Sequence, residues 1–106
     1  MNETLIALAE PNRLRIVELL RQGPCSVNQI AAKLDLSQPL VSKHLRVLRE
    51  AGMVRVRPEA QQRLYELQPE PFQQLESWVV SFRQLWEDRL DSLDEYVRQL
   101  KRNKKR

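Results

Sequence analysis

A four-residue link, LDLS at 34–37, joins two stretches whose apolar residues recur at helical spacing. Ahead of it, after Ser26, come Val27, Ile30, Ala31 and Leu34; behind it, Leu40, Val41, Leu45, Val47 and Leu48 share one side of a helix drawn at about 100° per residue. Helix, short turn, helix is an arrangement whose second member can enter a DNA major groove while the first steadies it across the backbone. The link therefore limits the chain to a small set of helical folds.

The second helix carries its own punctuation. Ser37 can cap its free N–H groups, Pro39 is tolerated in a first turn that needs no N–H there, and Gly52 closes it. Opposite its apolar side stand Gln38, Ser42, Lys43, Arg46 and Arg49. An amide at the N-terminus can pair bidentately with adenine, a hydroxyl can meet either kind of base, and cations suit guanine edges or phosphates. An ordinary surface helix would be two-sided in the same way, so its neighbours must decide between the readings.

Glu3 to Ala9 is a short apolar helical piece, and AEPNRLRIVELLRQG restarts a helix with Pro11 near its first turn. Ile16, Val17, Leu19 and Leu20 form the buried stripe, and Gly23-Pro24 stops it. After Gly52 the period changes to two. Val54 and Val56 alternate with Arg55 and Arg57, and beyond PEAQQ the run RLYEL spaces Tyr65 and Leu67 alike, which predicts a β-hairpin with a basic outer edge. Three helices and a hairpin make a winged helix-turn-helix, mainly α with a small β-hairpin. In it Arg55, Arg57 and Arg63 would approach the DNA backbone or minor groove; a structural hairpin with solvated arginines is the plainer alternative.

From Pro69 or Pro71 to about Arg102 the spacing predicts one long helix. Phe72, Val79, Trp86, Leu93 and Leu100 recur every seven residues, Leu75, Phe82 and Tyr96 form a second series interrupted by Arg89, and Trp78, Leu85, Leu90 and Val97 widen the stripe. Such a helix would be about 45 to 50 Å long, against a radius of gyration of about 13 Å for a domain of this size. A monomer could not cover it. The expectation is a symmetric dimer seamed by Phe72, Leu75, Trp78, Val79, Phe82, Trp86 and Leu93, joined by Leu5 of the first helix. The expected organisation is a DNA-binding domain at 1–68, a dimerisation helix at 69–102 within the same unit, and a basic tail at 103–106.

Charge agrees with that division. Of 18 basic residues five lie in the terminal KRNKKR, while Ser37 to Arg63 holds six basic residues against Glu50 and Glu59. Glu70 to Leu100 is the reverse, with seven acidic residues and only Arg83, Arg89 and Arg98. Segregation of this kind favours a local polyanion-binding surface. No stretch is long and apolar enough for a membrane span or a signal peptide, and one cysteine allows no intrachain disulfide, so a cytoplasmic location is expected.

The tempting single residues have modest readings. His44 falls among Leu40, Val41 and Leu48 and reads as a packed, hydrogen-bonded histidine. Cys25 reads as a small buried residue, with redox sensing the sharper alternative. Trp78 and Trp86 read as seam residues rather than a ligand pocket. Glu87, Asp88, Asp91, Asp94 and Glu95 are strung along a helix with no nucleophile, base or cofactor motif nearby, so no enzyme is expected.

Taken together, AEPNRLRIVELL, DLSQPLVSKHLRVLREAGMV and RLYEL resemble the ArsR family of bacterial winged-helix repressors, over roughly Leu5 to Leu67. The resemblance implies a homodimer that represses at a palindromic operator of double-stranded DNA, often its own promoter. It carries Gln38, Ser42 and Lys43 over as base or phosphate contacts, with Ser37, Pro39 and Arg46 beside them and the wing arginines on phosphates. Relatives usually have a glycine at the wing tip, where this chain has Ala60, Gln61 and Gln62. Metal-responsive relatives carry a C-x-C pair where Ser26 and Asn28 stand, or Asp and His ligands on a last helix that here has no His or Cys. No metal or other cofactor is expected; the resemblance is to metal-independent autorepressors, some governed by a partner protein or by no known inducer, which leaves an inducer or regulatory partner protein open for this chain. The rival reading is a winged-helix protein-interaction module that binds no specific DNA.

Overall fold

In a computed structural model the backbone is described for residues 1–104, and the side chains for all of these except 88–92 and 103–104. The element order is α1 (Asn2–Leu8), α2 (Pro11–Leu20), α3 (Val27–Leu34), α4 (Gln38–Glu50), β1 (Val54–Glu59), β2 (Gln62–Leu67), α5 (Pro69–Val80) and α6 (Arg83–Lys104). The chain forms two compact units, Met1–Gln74 and one that begins at Leu75.

In the first unit local chemistry fixes each helix end. Pro11 opens α2, with the Glu10 carboxylate accepting from the backbone N–H of Arg13 at 2.8 Å. Ser26 and Gln29 form a capping box at α3, each side chain accepting from the other's backbone N–H. Between α3 and α4 only Asp35, Leu36 and Ser37 intervene. Asp35 takes a left-handed conformation (φ 55°), which an Asp tolerates better than most side chains, and Ser37 caps α4 through Leu40 N–H. Gly52, at φ 75°, ends α4: its N–H donates to Arg49 O and that of Met53 to Leu48 O at 2.9 Å, the pairing of a Schellman motif. Met53 and Leu48, the apolar pair that accompanies such an ending, are both fully buried.

The core gathers Ile16, Val17 and Leu20 from α2, Ile30 and Ala31 from α3, and Val41, Leu45 and Leu48 from α4 under Val54 of β1. These are the residues whose spacing marked the inner faces. The hairpin pairs Val54 with Leu67 and runs to Glu59 opposite Gln62, so both strands reach further toward the tip than the alternation alone indicated. A two-residue turn remains, Ala60-Gln61, with Ala60 at φ 55°. Cys25 and Tyr65 exchange backbone hydrogen bonds of 3.1 and 2.8 Å, anchoring the wing to the entrance of α3.

The single long helix expected from residue 69 to about 102 is divided. α5 ends at Val80 and α6 starts at Arg83, a helix of 22 residues or about 33 Å. At the break, Phe82 N–H donates to Val79 O and Leu85 N–H to Phe82 O, three residues back in each case, while the Ser81 hydroxyl donates to Trp78 O. A serine that bonds its own preceding turn competes with the helical ladder, and the β-branched pair Val79-Val80 ahead of it gives up side-chain freedom in a helix. The heptad count tolerated this break because it registers apolar spacing and not backbone competition. The tail expected at 103–106 lies outside the described residues, apart from the backbone of 103–104.

Candidate nucleic-acid interface

The site is built from α4 outward. Val41, His44, Leu45 and Leu48 are buried on one side of the helix, while Gln38, Pro39, Ser42, Lys43, Arg46 and Arg49 are exposed on the other. Pro39, Ser42, Lys43 and Arg46 line a shallow depression in that face. Among the described residues none of Lys43, Arg46 and Arg49 is held in an ion pair, so their charge is available to an incoming anion.

Two arginines of α2 tie it to the neighbouring helices α1 and α3, and neither stood out from the spacing. Arg15 donates to Leu34 O at 3.0 Å, tying α2 to the last turn of α3 immediately before the link. Arg13 donates through Nε to Ala7 O at 2.7 Å and so closes α1. Free carbonyls at a helix end attract such cations, but finding the partner of Arg15 requires knowing that α2 passes 19 residues away from it in sequence.

His44 is buried, as its place on the apolar side of α4 required. Its Nε2 lies 3.7 Å from Glu10 Oε2, beyond hydrogen-bond range, and its Nδ1 has no partner among the described residues. Cys25 is buried too, its thiol facing Gly23 O at 3.7 Å. Neither joins the several ligands a metal centre takes: among the described residues no group of three or more His, Cys, Asp or Glu side chains converges.

The three wing arginines are not equivalent. Arg55 Nε donates to Glu66 Oε1 at 2.7 Å, and Arg57 reaches Glu66 at 3.4 Å and Glu59 at 3.2 Å. Glu66 faces Arg55 directly in the ladder, so these charges lie on one face of the hairpin and neutralise one another. Arg63, opposite Pro58 on the other face, is exposed and has no ion pair among the described residues. Pairing RVRPE against QRLYEL across a two-residue turn would have exposed this; counting the basic side chains alone did not.

Apolar side chains remain uncovered in each unit. Leu5, Ile6 and Leu14 are exposed in the first, and Trp78, Val79, Phe82, Trp86 and Leu93 in the second, where Trp78 and Phe82 meet edge to face with ring centroids 5.2 Å apart. Leu75 is half-buried. Phe72, expected at a dimer seam, is also half-buried and packs against the core of its own unit. No helix among the described residues is long and apolar enough to cross a membrane.

A three-helix core with a helix presented after a tight turn, followed by a two-stranded wing, defines a winged helix-turn-helix protein of the nucleic-acid-binding type. A family model described as "Bacterial regulatory protein, arsR family" matches residues 10–56. The chain superimposes on the crystal structure of ArsR family transcriptional regulator RHA00566 with a TM-score of 0.70 and 31% identity, covering 81% of this chain and 89% of that one. This chain belongs to the arsR family.

It is 51% identical over 63 residues to the biofilm growth-associated repressor of Agrobacterium fabrum, a match covering 59% of this chain and 54% of that protein. The chain thus spans little more than half the length of that curated relative. A third likeness is to the homodimeric winged helix-turn-helix DNA-binding domain of Mb0332 from Mycobacterium bovis, at 29% identity and a TM-score of 0.65 over 78% of this chain and 77% of that one.

Proposed function

We propose that this chain is a homodimeric, sequence-specific DNA-binding regulator of transcription, acting as a repressor at a palindromic operator in the cytoplasm, and not an enzyme. The observation that carries the reading is α4, which commits one side to the core and leaves an amide, a hydroxyl and cations exposed on the other. Gln38 and Ser42 are assigned to base edges, and Lys43 and Arg46 to guanine edges or phosphates, with Ser37 and Pro39 at the helix entrance beside the backbone. Arg63 is assigned to phosphate from the wing, with Arg55 and Arg57 in a lesser role because Glu66 and Glu59 already hold them.

The dimer is supported by the homodimeric likeness and by the uncovered Leu5, Trp78, Val79, Phe82, Trp86 and Leu93. Two copies of α4 would then meet half-sites about one helical turn of DNA apart, roughly 34 to 36 Å. Metal-independence is supported by the burial of Cys25 and His44, which join no group of three or more such side chains among the described residues.

The test is a titration of the protein against the DNA just upstream of its own gene, beside a scrambled duplex, at about 150 mM salt. Selective binding with two protomers per site is the expected result. Equal, weak binding to both, repeated with sequences drawn from a random pool, would instead support the protein-interaction module.

A further inference from the structure

We propose that Arg15 is a positioning residue for sequence reading: by holding the Leu34 carbonyl it sets the angle at which α4 leaves the link. The inference rests on the reading of α4 as the DNA-contacting helix and adds a residue that acts on it from α2.

The last carbonyls of a helix have no partner within the helix. At the end of α3 the Ala31 carbonyl accepts from the backbone N–H groups of both Asp35 and Leu36, which closes the turn. The Leu34 carbonyl is held from another helix instead, by the Arg15 guanidinium at 3.0 Å. A second nitrogen of that guanidinium donates to Asn12 Oδ1 at 3.3 Å, so the planar group is braced from one turn earlier on α2. Among the described residues no carboxylate pairs with Arg15, and its charge stands at the negative end of the α3 dipole.

The place of this bond in the chain gives it leverage. Leu34 directly precedes Asp35, whose φ of 55° makes the turn, and α4 begins at Gln38. Burial of the shared core holds α2, α3 and α4 together, but apolar contact is non-directional, whereas a hydrogen bond to a peptide oxygen is not. The Arg15 bond therefore orients the peptide from which the link departs. Arg46 lies about 12 Å along α4 from Gln38, so a tilt of about 5° at the link moves it by about 1 Å, twice the roughly 0.5 Å tolerance of a preorganised site. Ser42, halfway along, moves by about 0.5 Å, and Gln38 hardly moves.

The test titrates the full-length protein and its Arg15→Met variant against a duplex that the unaltered protein selects from a random pool, and against a scrambled one, at several salt concentrations. Methionine keeps an apolar stem and removes the donors and the charge. The variant should bind the selected duplex about twofold to tenfold more weakly, the ratio that one net hydrogen bond supports, and the scrambled duplex equally well, with an unchanged salt slope. Equal loss on both duplexes, with the slope reduced by about one unit, would make Arg15 a phosphate contact and overturn the proposal. Arg15→Lys, which retains the charge and a donor, covers the case in which Arg15→Met does not fold. It should lose a smaller part of the preference; equal weakening on both duplexes would overturn the positioning role.

A double-mutant cycle separates positioning from plain scaffolding. If Arg15 acts through the placement of Ser42, the losses of binding free energy from Arg15→Met and Ser42→Ala on the selected duplex should combine to less than their sum; full additivity would show the two to be independent and overturn the proposal. A preference that survives Arg15→Met intact defeats the positioning role alone, whereas an unaltered protein that selects no sequence defeats the DNA reading and the positioning role with it.

Discussion

The helix α4 and the wing are both basic, yet they hold their charge differently. On α4, Lys43, Arg46 and Arg49 project from a face whose reverse side is core, and among the described residues no carboxylate holds them. On the wing, Arg55 and Arg57 are already occupied by Glu66 and Glu59, and Arg63 alone of its three arginines is left without an ion pair among the described residues. Formal charge per element is therefore a poor guide to what an element offers a polyanion. What counts is the charge left after cross-strand and helical neighbours have taken their share.

The largest effect should come from the buried side of α4. Leu48→Ala removes a side chain with no exposure and should cost about 2 to 5 kcal/mol of unfolding free energy in a denaturant titration. It should abolish binding to every DNA if the protein unfolds below working temperature. A loss well under 1 kcal/mol would show that the presented face does not depend on that packing.

Next in size is the release of the wing. Glu66→Ala frees Arg55 and leaves Arg57 with Glu59 alone, so random-sequence DNA should bind several-fold more tightly. The plot of log affinity against log salt should steepen by about one unit. An unchanged slope would mean that this face of the hairpin stays away from phosphate.

The same measurement separates the wing arginines from one another. Arg63→Ala should flatten the slope by about one unit, while Arg55→Ala should leave it nearly unchanged. Equal effects would erase the distinction drawn between the two faces.

The smallest effect belongs to the tip. Ala60 occupies a left-handed conformation (φ 55°) that costs an L-residue about 1 to 2 kcal/mol, partly offset by the greater chain entropy that a glycine would lose. Ala60→Gly should therefore stabilise the protein by up to about 1 kcal/mol in thermal unfolding. Destabilisation would mean that the turn relaxes to another form.

Much of the first unit could be read from the chain because its signals are local. Ser26, Ser37 with Pro39, and Gly52 each mark a boundary within a few residues, and the inward positions of α2, α3 and α4 follow from spacing alone. Features set by a distant partner were harder to see. The hold of Glu66 on Arg55 spans 11 residues and becomes visible only once the ladder register is fixed, and the Glu10 carboxylate near His44 comes from the N-cap of α2.

The break at Ser81 was missed for a different reason. Apolar spacing continues straight through it, whereas the backbone is decided by a hydroxyl that bonds Trp78 O.

The central claim is that α4 reads sequence while the wing supplies sequence-independent attraction. Its most direct test is the affinity of the Gln38→Ala protein for the selected operator and for a scrambled duplex, at one salt concentration. If the amide pairs with a base, the operator should lose about 1 to 3 kcal/mol and the scrambled duplex almost nothing. Equal losses on both would remove Gln38 from the readout and contradict the assignment of α4 as the reading element.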